Sequence, residues 1–346
     1  MGKLTSYAKL IKLTIIIIAV LSLGIFIINT DFTTLKHELD KVGLKFIYIL
    51  LLTFTAYFLG AIGWQVCLGS EKEKISILQL FAVRQIGETL AIYNPTSIVA
   101  GDLLKAKLLH TYHIQEETAL QSVIASRITA TLSQITLFLI AITWLLYTTG
   151  YHHIPEVLKF LIPVAVGILL SLIVALFFWL SSPLHDKPIR REGSVWQKAK
   201  SSISINLYNS RLFFQRERKL FWNSYLFFTL HWVVGSMEFY LLLSFMGYPI
   251  QLMHGLVLDM SVIVIKSIGA AIPGQIGIEE FGNKITLYMI GVKSTTLWIS
   301  ISILRRMRQL VWTGIGLLLT ICLKKRTMRL DYKQTETSPT LAEHKY

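Results

Sequence analysis

The chain of 346 residues is 53% hydrophobic and only 16% charged, with a mean hydropathy of +0.56. A soluble domain carries about a quarter charged residues, so this composition excludes a soluble enzyme or binding module and points to a polytopic membrane protein. The net charge of +14 does not indicate nucleic acid: Lys and Arg crowd beside the apolar runs, as in cytoplasmic loops held against an anionic leaflet.

The N-terminus carries Lys3, Lys9 and Lys12, then an apolar run over 10–28. That run is long and lacks a small-x-small cleavage pattern after it, so it reads as a first span rather than a signal peptide. A span needs ~20 apolar residues. Further spans read over 46–68, over 120–147 with Arg127 inside, and over 158–180 and 221–245. A last one over 295–323 contains Arg305, Arg306 and Arg308. Cys67 and Cys322 fall in apolar runs far apart and read as packing residues.

Two apolar stretches, 75–109 and 252–290, break near their middles at NPTSIVAGD (94–102) and IPGQIGIEE (272–280). Each half is too short to cross alone, and broken helices at membrane depth persist only where protein buries them or a cavity accepts them. Both stretches therefore read as re-entrant helical hairpins, with tips at Asn94, Pro95 and Pro273. The segment 181–219 holds nine Lys/Arg against three acids, and the tail 324–346 opens with Lys324, Lys325 and Arg326. Six spans with two same-side hairpins place both segments, and both termini, in the cytoplasm, as the positive-inside rule requires. The expected fold is an all-α polytopic membrane protein: one transmembrane domain over 1–323, six transmembrane helices and two re-entrant hairpins.

The halves 10–148 and 155–323 share an order of span, span, hairpin, span. From Pro95 an acid follows after seven residues (Asp102) and an arginine after 32 (Arg127). From Pro273 the same offsets reach Glu280 and Arg305, and seven residues before each proline stands a charge, Glu88 or Lys266. Elsewhere the halves align no better than chance. Three spans per half turn the second half over, which makes an inverted-topology repeat, the layout in which transporters place substrate between halves.

At a hairpin tip, the N-terminus of the second half-helix attracts an anion, and Gly101, Gly274 and Gly277 would let backbone or ligand approach. Asp102 and Glu280 are expected to cap these half-helices and to pair with Arg127 and Arg305 of their own halves. Glu279, opposite Gly101 in the repeat, is left as the carboxylate without a counterpart. Arg305 and Arg308 share a helix face, and guanidinium groups bind phosphate bidentately, so Arg127, Arg305 and Arg308 are the candidate phosphate ligands. Arg306 faces elsewhere, towards the second hairpin or the other half. Asp102, Glu279, Glu280, Glu88 and Lys266 are the candidate gating or ion-pairing charges. Arg84 and Gln85 line a polar path, Asp259 and Lys266 form a network, and His231 and Glu238 have no assigned partner. Lys105 and Lys107 are expected at the cytoplasmic interface among anionic headgroups. The chain carries no motif for a metal, a nucleotide or a catalytic triad, so the reading includes neither cofactor nor metal, and no enzyme activity.

These motifs, NPTSIVAGDLLKAKLL (94–109) with Arg127 after it and IPGQIGIEEFG with YMIGV and LRRM (272–307), resemble the lysylphosphatidylglycerol synthase transmembrane-region family. Pro95, Gly101, Asp102 and Lys105 match its first motif. Pro273, Gly274, Gly277 and Glu279 or Glu280 match its second, with Gln275 replacing a glycine. The resemblance covers nearly the whole chain and implies movement of a lipid between leaflets of a cell (inner or plasma) membrane. The substrate would be a phospholipid or an isoprenoid-linked phosphate lipid. Larger relatives add an aminoacyl-transferase domain absent after Leu323, so lysyl transfer is not implied. A homo-oligomer or a partner transferase stays open. So do two rivals: an intramembrane enzyme using Glu279 or Glu280 as base on a lipid-linked phosphate or sugar, and a non-transporting scaffold.

Overall fold

The computed structural model describes residues 40, 42–93, 97–149, 156–184, 195–268, 275 and 277–336. Among them the regular elements are helical: α1 (Phe46–Val66), α2 (Ile77–Tyr93), α3 (Ser97–Leu109), α4 (Glu116–Thr149), α5 (Glu156–Ser181), α6 (Val195–Arg216), α7 (Arg218–Phe245), α8 (Leu252–Ile268), α9 (Ile278–Met289) and α10 (Thr295–Glu336). The run 10–28 and the residues Asn94, Pro95, Pro273 and Gly274 lie outside the described residues.

Four stretches, Gly43–Val66, Glu116–Thr148, Lys159–Ser181 and Arg218–Phe245, are long and apolar enough to cross a membrane. Protein buries only 6% of the apolar stretch of α5. A surface of that size and polarity is unstable in water, so the chain is an all-α membrane protein. The expected span over 295–323 is helical within α10 but is not among these four. The segment 181–219, read as a loop from its charge, instead holds α6. Phe213 and Phe214 of α6 are buried, and Phe214 meets Phe177 and Phe221 at ring-centroid distances of 6.1 and 4.9 Å.

Helices α1 and α7 pack along each other. One apolar cluster joins Trp64 and Cys67 at the end of α1 to Phe221 and Phe228 early in α7. A second joins Phe46 and Ile49 at the start of α1 to Phe239, Leu242 and Leu243 late in α7. The two helices are therefore antiparallel, with an apolar cluster at each end of their contact. Around them, α2 packs on α3 and α10, while α8 packs on α9 and α4. Gly247 and Gly291, at φ +76° and +86°, end α7 and α9 in the same way. Tyr248 N–H donates to the Leu243 carbonyl at 2.9 Å, and Val292 N–H to that of Leu287 at 2.9 Å. Only glycine adopts that left-handed turn without strain.

Candidate functional site

Midway along α1 and α7, between their two apolar clusters, a cavity of about 340 Å³ opens. Thr53, Ala56 and Tyr57 of α1 and His231, Gly235 and Glu238 of α7 form part of its wall. Helix α2 adds Arg84, Gln85 and Glu88, α8 adds Asp259 and Lys266, and α10 adds Arg305, Arg308 and Gln309. A smaller chamber of about 80 Å³ shares Arg84, Glu88 and Trp232 with it and reaches Asp102, Lys105 and Arg127. An isolated charge in an apolar interior is expensive, so the pairing among these groups decides what the site can do.

In the first hairpin Arg127 grips Asp102 with two donors, Nη2 at 2.7 Å and Nε at 3.1 Å, the pair anticipated from the sequence. Asp102 does not cap α3, however, because that helix begins at Ser97 and the acid lies inside it. Lys105 is not at an interface: it is 6% exposed, and its Nζ lies 2.5 Å from Glu88 and 3.1 Å from Asp102. It ties the two arms together, and the stem of Lys105 fills the space that a Cβ at Gly87 would occupy. Gly101 serves the same packing. A Cβ there would stand 2.6 Å from the Gly87 carbonyl oxygen, so its smallness admits the neighbouring helix rather than a ligand. Lys107 is exposed.

In the second hairpin Glu279, a candidate ion-pairing charge with no counterpart in the first half, is only 3% exposed and accepts Lys266 Nζ at 3.0 Å and Arg305 Nε at 3.2 Å. Arg305 does not pair with Glu280. Its guanidinium reaches Asp259 at 3.3 Å and Glu238 at 3.5 Å, over the Phe239 ring at 4.1 Å. Glu280 instead binds Arg306, at 2.7 and 3.1 Å, and caps α9 by accepting the Gly277 N–H at 2.8 Å. The physical reason is register. The acid-to-arginine separation is 25 residues in the first half and 26 in the second, and one residue turns a helix by about 100°. Arg306 also donates to the Gln275 carbonyl at 3.2 Å, so it does face the second hairpin. Gly277, at φ +83°, faces open space.

Arg305 and Arg308 do share a face, and both reach Glu238: Arg308 Nε stands 3.0 Å from Glu238 Oε1 without hydrogen-bond alignment. Asp259 and Lys266 belong to this network but contact different members of it. Glu238 on α7 is the residue that local sequence could not place, because its partners come from α10. His231 has its Nδ1 2.6 Å from the Ala56 carbonyl oxygen. Gln85 donates to the Trp312 carbonyl at 3.3 Å, and Trp312 donates to Thr53 Oγ1 at 2.8 Å, so α2, α10 and α1 are held at the cavity wall. Among the described residues no three His, Cys, Asp or Glu side chains are grouped to hold a metal ion.

Comparison with curated proteins and with solved structures finds no match. A family model described as the lysylphosphatidylglycerol synthase TM region matches residues 10–316. That match spans both hairpins, all their ion pairs and the apolar helices around them. The chain therefore belongs to the lysylphosphatidylglycerol synthase TM region family, a membrane domain linked to lipid handling.

Proposed function

We propose that this protein moves a phosphate-bearing lipid between membrane leaflets, through the cavity between its two halves, and is not an enzyme. One observation carries the reading: a charged cavity lies midway along two antiparallel apolar helices that are each long enough to span a bilayer. Charges at that depth are functional by default. The scaffold rival has no use for such a cavity. The enzyme rival needs a free, perturbed carboxyl, whereas Glu279 and Glu280 are both held by cations.

The finer architecture belongs to the same proposal: six spans, two re-entrant hairpins and an inverted repeat. The packing supports it. Under the repeat α1 corresponds to α7, α2 to α8, α3 to α9 and α4 to α10. The contacts of α2 with α3 and α10 then match those of α8 with α9 and α4. The termini would be cytoplasmic and the membrane the cell's inner or plasma membrane. Arg127 and Arg305, already held by carboxylates, would keep the hairpins in place, and Arg308 would face the lipid headgroup. Glu88, Lys266, Asp102, Glu279 and Glu280 would carry the gating pairs.

The test uses purified full-length protein in liposomes containing a trace of fluorescent NBD-phosphatidylglycerol or NBD-labelled polyprenyl phosphate. Dithionite bleaches the outer leaflet alone in protein-free vesicles. Bleaching well beyond that level with protein supports the proposal. Bleaching equal to protein-free vesicles for every phosphate lipid in the series refutes it, and a chemically altered lipid would establish the enzyme instead.

A further inference from the structure

We infer that Arg84 is the anion anchor of the cavity and takes the phosphate of a monoanionic phosphodiester headgroup. This deepens the lipid-transport reading and rests on it. Each of the other Lys and Arg side chains lining the two chambers has a carboxylate in ion-pair contact: Lys105, Arg127, Lys266, Arg305 and Arg308. Arg84 alone makes no ion pair among the described residues. A guanidinium has five N–H donors, and the one hydrogen bond found for it goes to the Tyr57 carbonyl, 3.4 Å from Nη1; Glu88, one turn along α2, attracts it from beyond ion-pair distance and is itself held by Lys105.

The protein nevertheless builds a seat for this group. Its guanidinium lies 5.7 Å over the Tyr57 ring. Gly60 makes the room, since a Cβ there would stand 2.9 Å from Nη2. The α1 backbone thus supports one side of the guanidinium, and its remaining donors are available where the two chambers meet. Leaving a cation unpaired in such surroundings is costly unless a ligand completes it. Over the two chambers and the ion pairs around them, Arg84, Lys105, Arg127, Lys266, Arg305, Arg306 and Arg308 stand against Glu88, Asp102, Glu238, Asp259, Glu279 and Glu280. One positive charge is in excess, which a phosphodiester monoanion would neutralise. The second half offers no equivalent, for the repeat aligns Arg84 with Val262, fully buried in an apolar cluster.

The surroundings favour a lipid source over free phosphate. Tyr57 and Trp312 of the cavity wall meet edge to face with ring centroids 5.0 Å apart, and Trp312 stacks with Phe54 at 6.4 Å, a ring exposed on the outer side of α1. An apolar path thereby runs from the anion seat to the lipid-facing surface, where acyl chains would lie.

The experiment measures binding to purified full-length protein in neutral detergent, by calorimetry. The probes are dihexanoylphosphatidylglycerol, dihexanoylglycerol and inorganic phosphate. Wild type is expected to bind the phosphatidylglycerol and not the neutral glyceride. Arg84→Gln should weaken that binding about tenfold or more, the loss of one charge-assisted contact. Arg84→Lys, which keeps charge without the planar fork, should fall between them. Gly60→Ala is the control for folding. It favours the helix but pushes the guanidinium out of its seat, so binding should weaken several-fold at an unfolding temperature no lower than wild type. Wild-type affinity in both Arg84→Gln and Gly60→Ala overturns the assignment and leaves lipid transport standing. Phosphate binding without lipid binding, lost in Arg84→Gln, keeps Arg84 as the anion residue and overturns the lipid headgroup. If wild type binds no phosphate-bearing probe, or binds the neutral glyceride equally, both readings fall.

Discussion

Glu279 is the carboxylate whose surroundings make the sharpest energetic demand. Substituting Glu279→Gln preserves its shape and removes its charge at a position only 3% exposed. Arg305 would keep Asp259 and Glu238, but Lys266 would lose its ion-pair partner at 3.0 Å. Breaking one side of a buried pair costs ~3–5 kcal/mol. Glu280→Gln is the internal comparison. Its side chain is 30% exposed, and the buried Arg306 keeps Glu279 at 4.0 Å, the Gln275 carbonyl and Gln309, so no charge is stranded and the cost falls to ~1 kcal/mol. At about 2 °C per kcal/mol for a long chain, Glu279→Gln should unfold roughly 6–10 °C below wild type and Glu280→Gln about 2 °C below it. The assay is the loss of the native size-exclusion peak after heating in detergent. Equal shifts for the two variants would refute the reasoning. A cycle with Lys266→Met sharpens it: the double variant should recover ~0.5–3 kcal/mol relative to the sum of the single variants, and strict additivity would mean that the ion pair contributes nothing.

Three further outcomes follow from the same geometry. Gly101→Ala must separate α3 from the Gly87 carbonyl and should lower the unfolding temperature, whereas Gly314→Ala, with nothing within 4 Å of the new methyl, should raise it by up to ~1 kcal/mol of stability; thermal scans of both variants decide. N-ethylmaleimide should modify exposed Cys322 and spare buried Cys67, whose thiol lies 3.2 Å from Ser224 Oγ; mass spectrometry showing the reverse would contradict the packing of α1 on α7. Trp312→Phe keeps the ring stack but removes the donor to Thr53, a loss of about 1 kcal/mol that Thr53→Val on the Phe background should not increase.

The sequence exposed the elements that apolar interruption makes conspicuous. Proline and acids inside runs otherwise fit for lipid marked where α2 gives way to α3 and α8 to α9, and the Arg127–Asp102 pair followed from matched offsets. What it misassigned depended on rotation and on distant partners. Glu280 and Arg305 stand at the same offsets from Pro273 as Asp102 and Arg127 from Pro95, yet the acid and arginine that meet are 26 residues apart rather than 25, so Arg305 takes Glu279 and Arg306 takes Glu280. Lys105 follows Asp102 by one helical turn and looks interfacial in the chain, while the acid that buries it, Glu88, lies across the hairpin. The charge density of 181–219 concealed α6 because its apolar residues are few and only their helical spacing reveals a buried face. Arg84 was visible as a charge in an apolar segment, but its lack of a carboxylate could not be seen before the other cations had been paired.

The ion pairs also decide which parts can move. Glu88–Lys105 joins α2 to α3, and Lys266–Glu279 joins α8 to α9, with the acid on the first arm in one hairpin and on the second arm in the other. Separating the arms would strand buried charges, so each hairpin should move as a unit. The proposed transport would then require motion where each helix pair meets its other neighbour, at α2 against α10 and α8 against α4. Thr89 and Gly316 meet at the first of these contacts, where a Cβ on Gly316 would stand 2.9 Å from the Thr89 Cβ. A disulfide needs about 3.5–4.5 Å between these atoms, which a slight parting of the helices provides. Thr89→Cys with Gly316→Cys, on a background where Cys67 and Cys322 are serine, should cross-link under mild oxidation. The oxidised protein should lose lipid movement in the dithionite assay and regain it on reduction. Undiminished movement in the fully cross-linked protein would show that α2 and α10 do not part during transport.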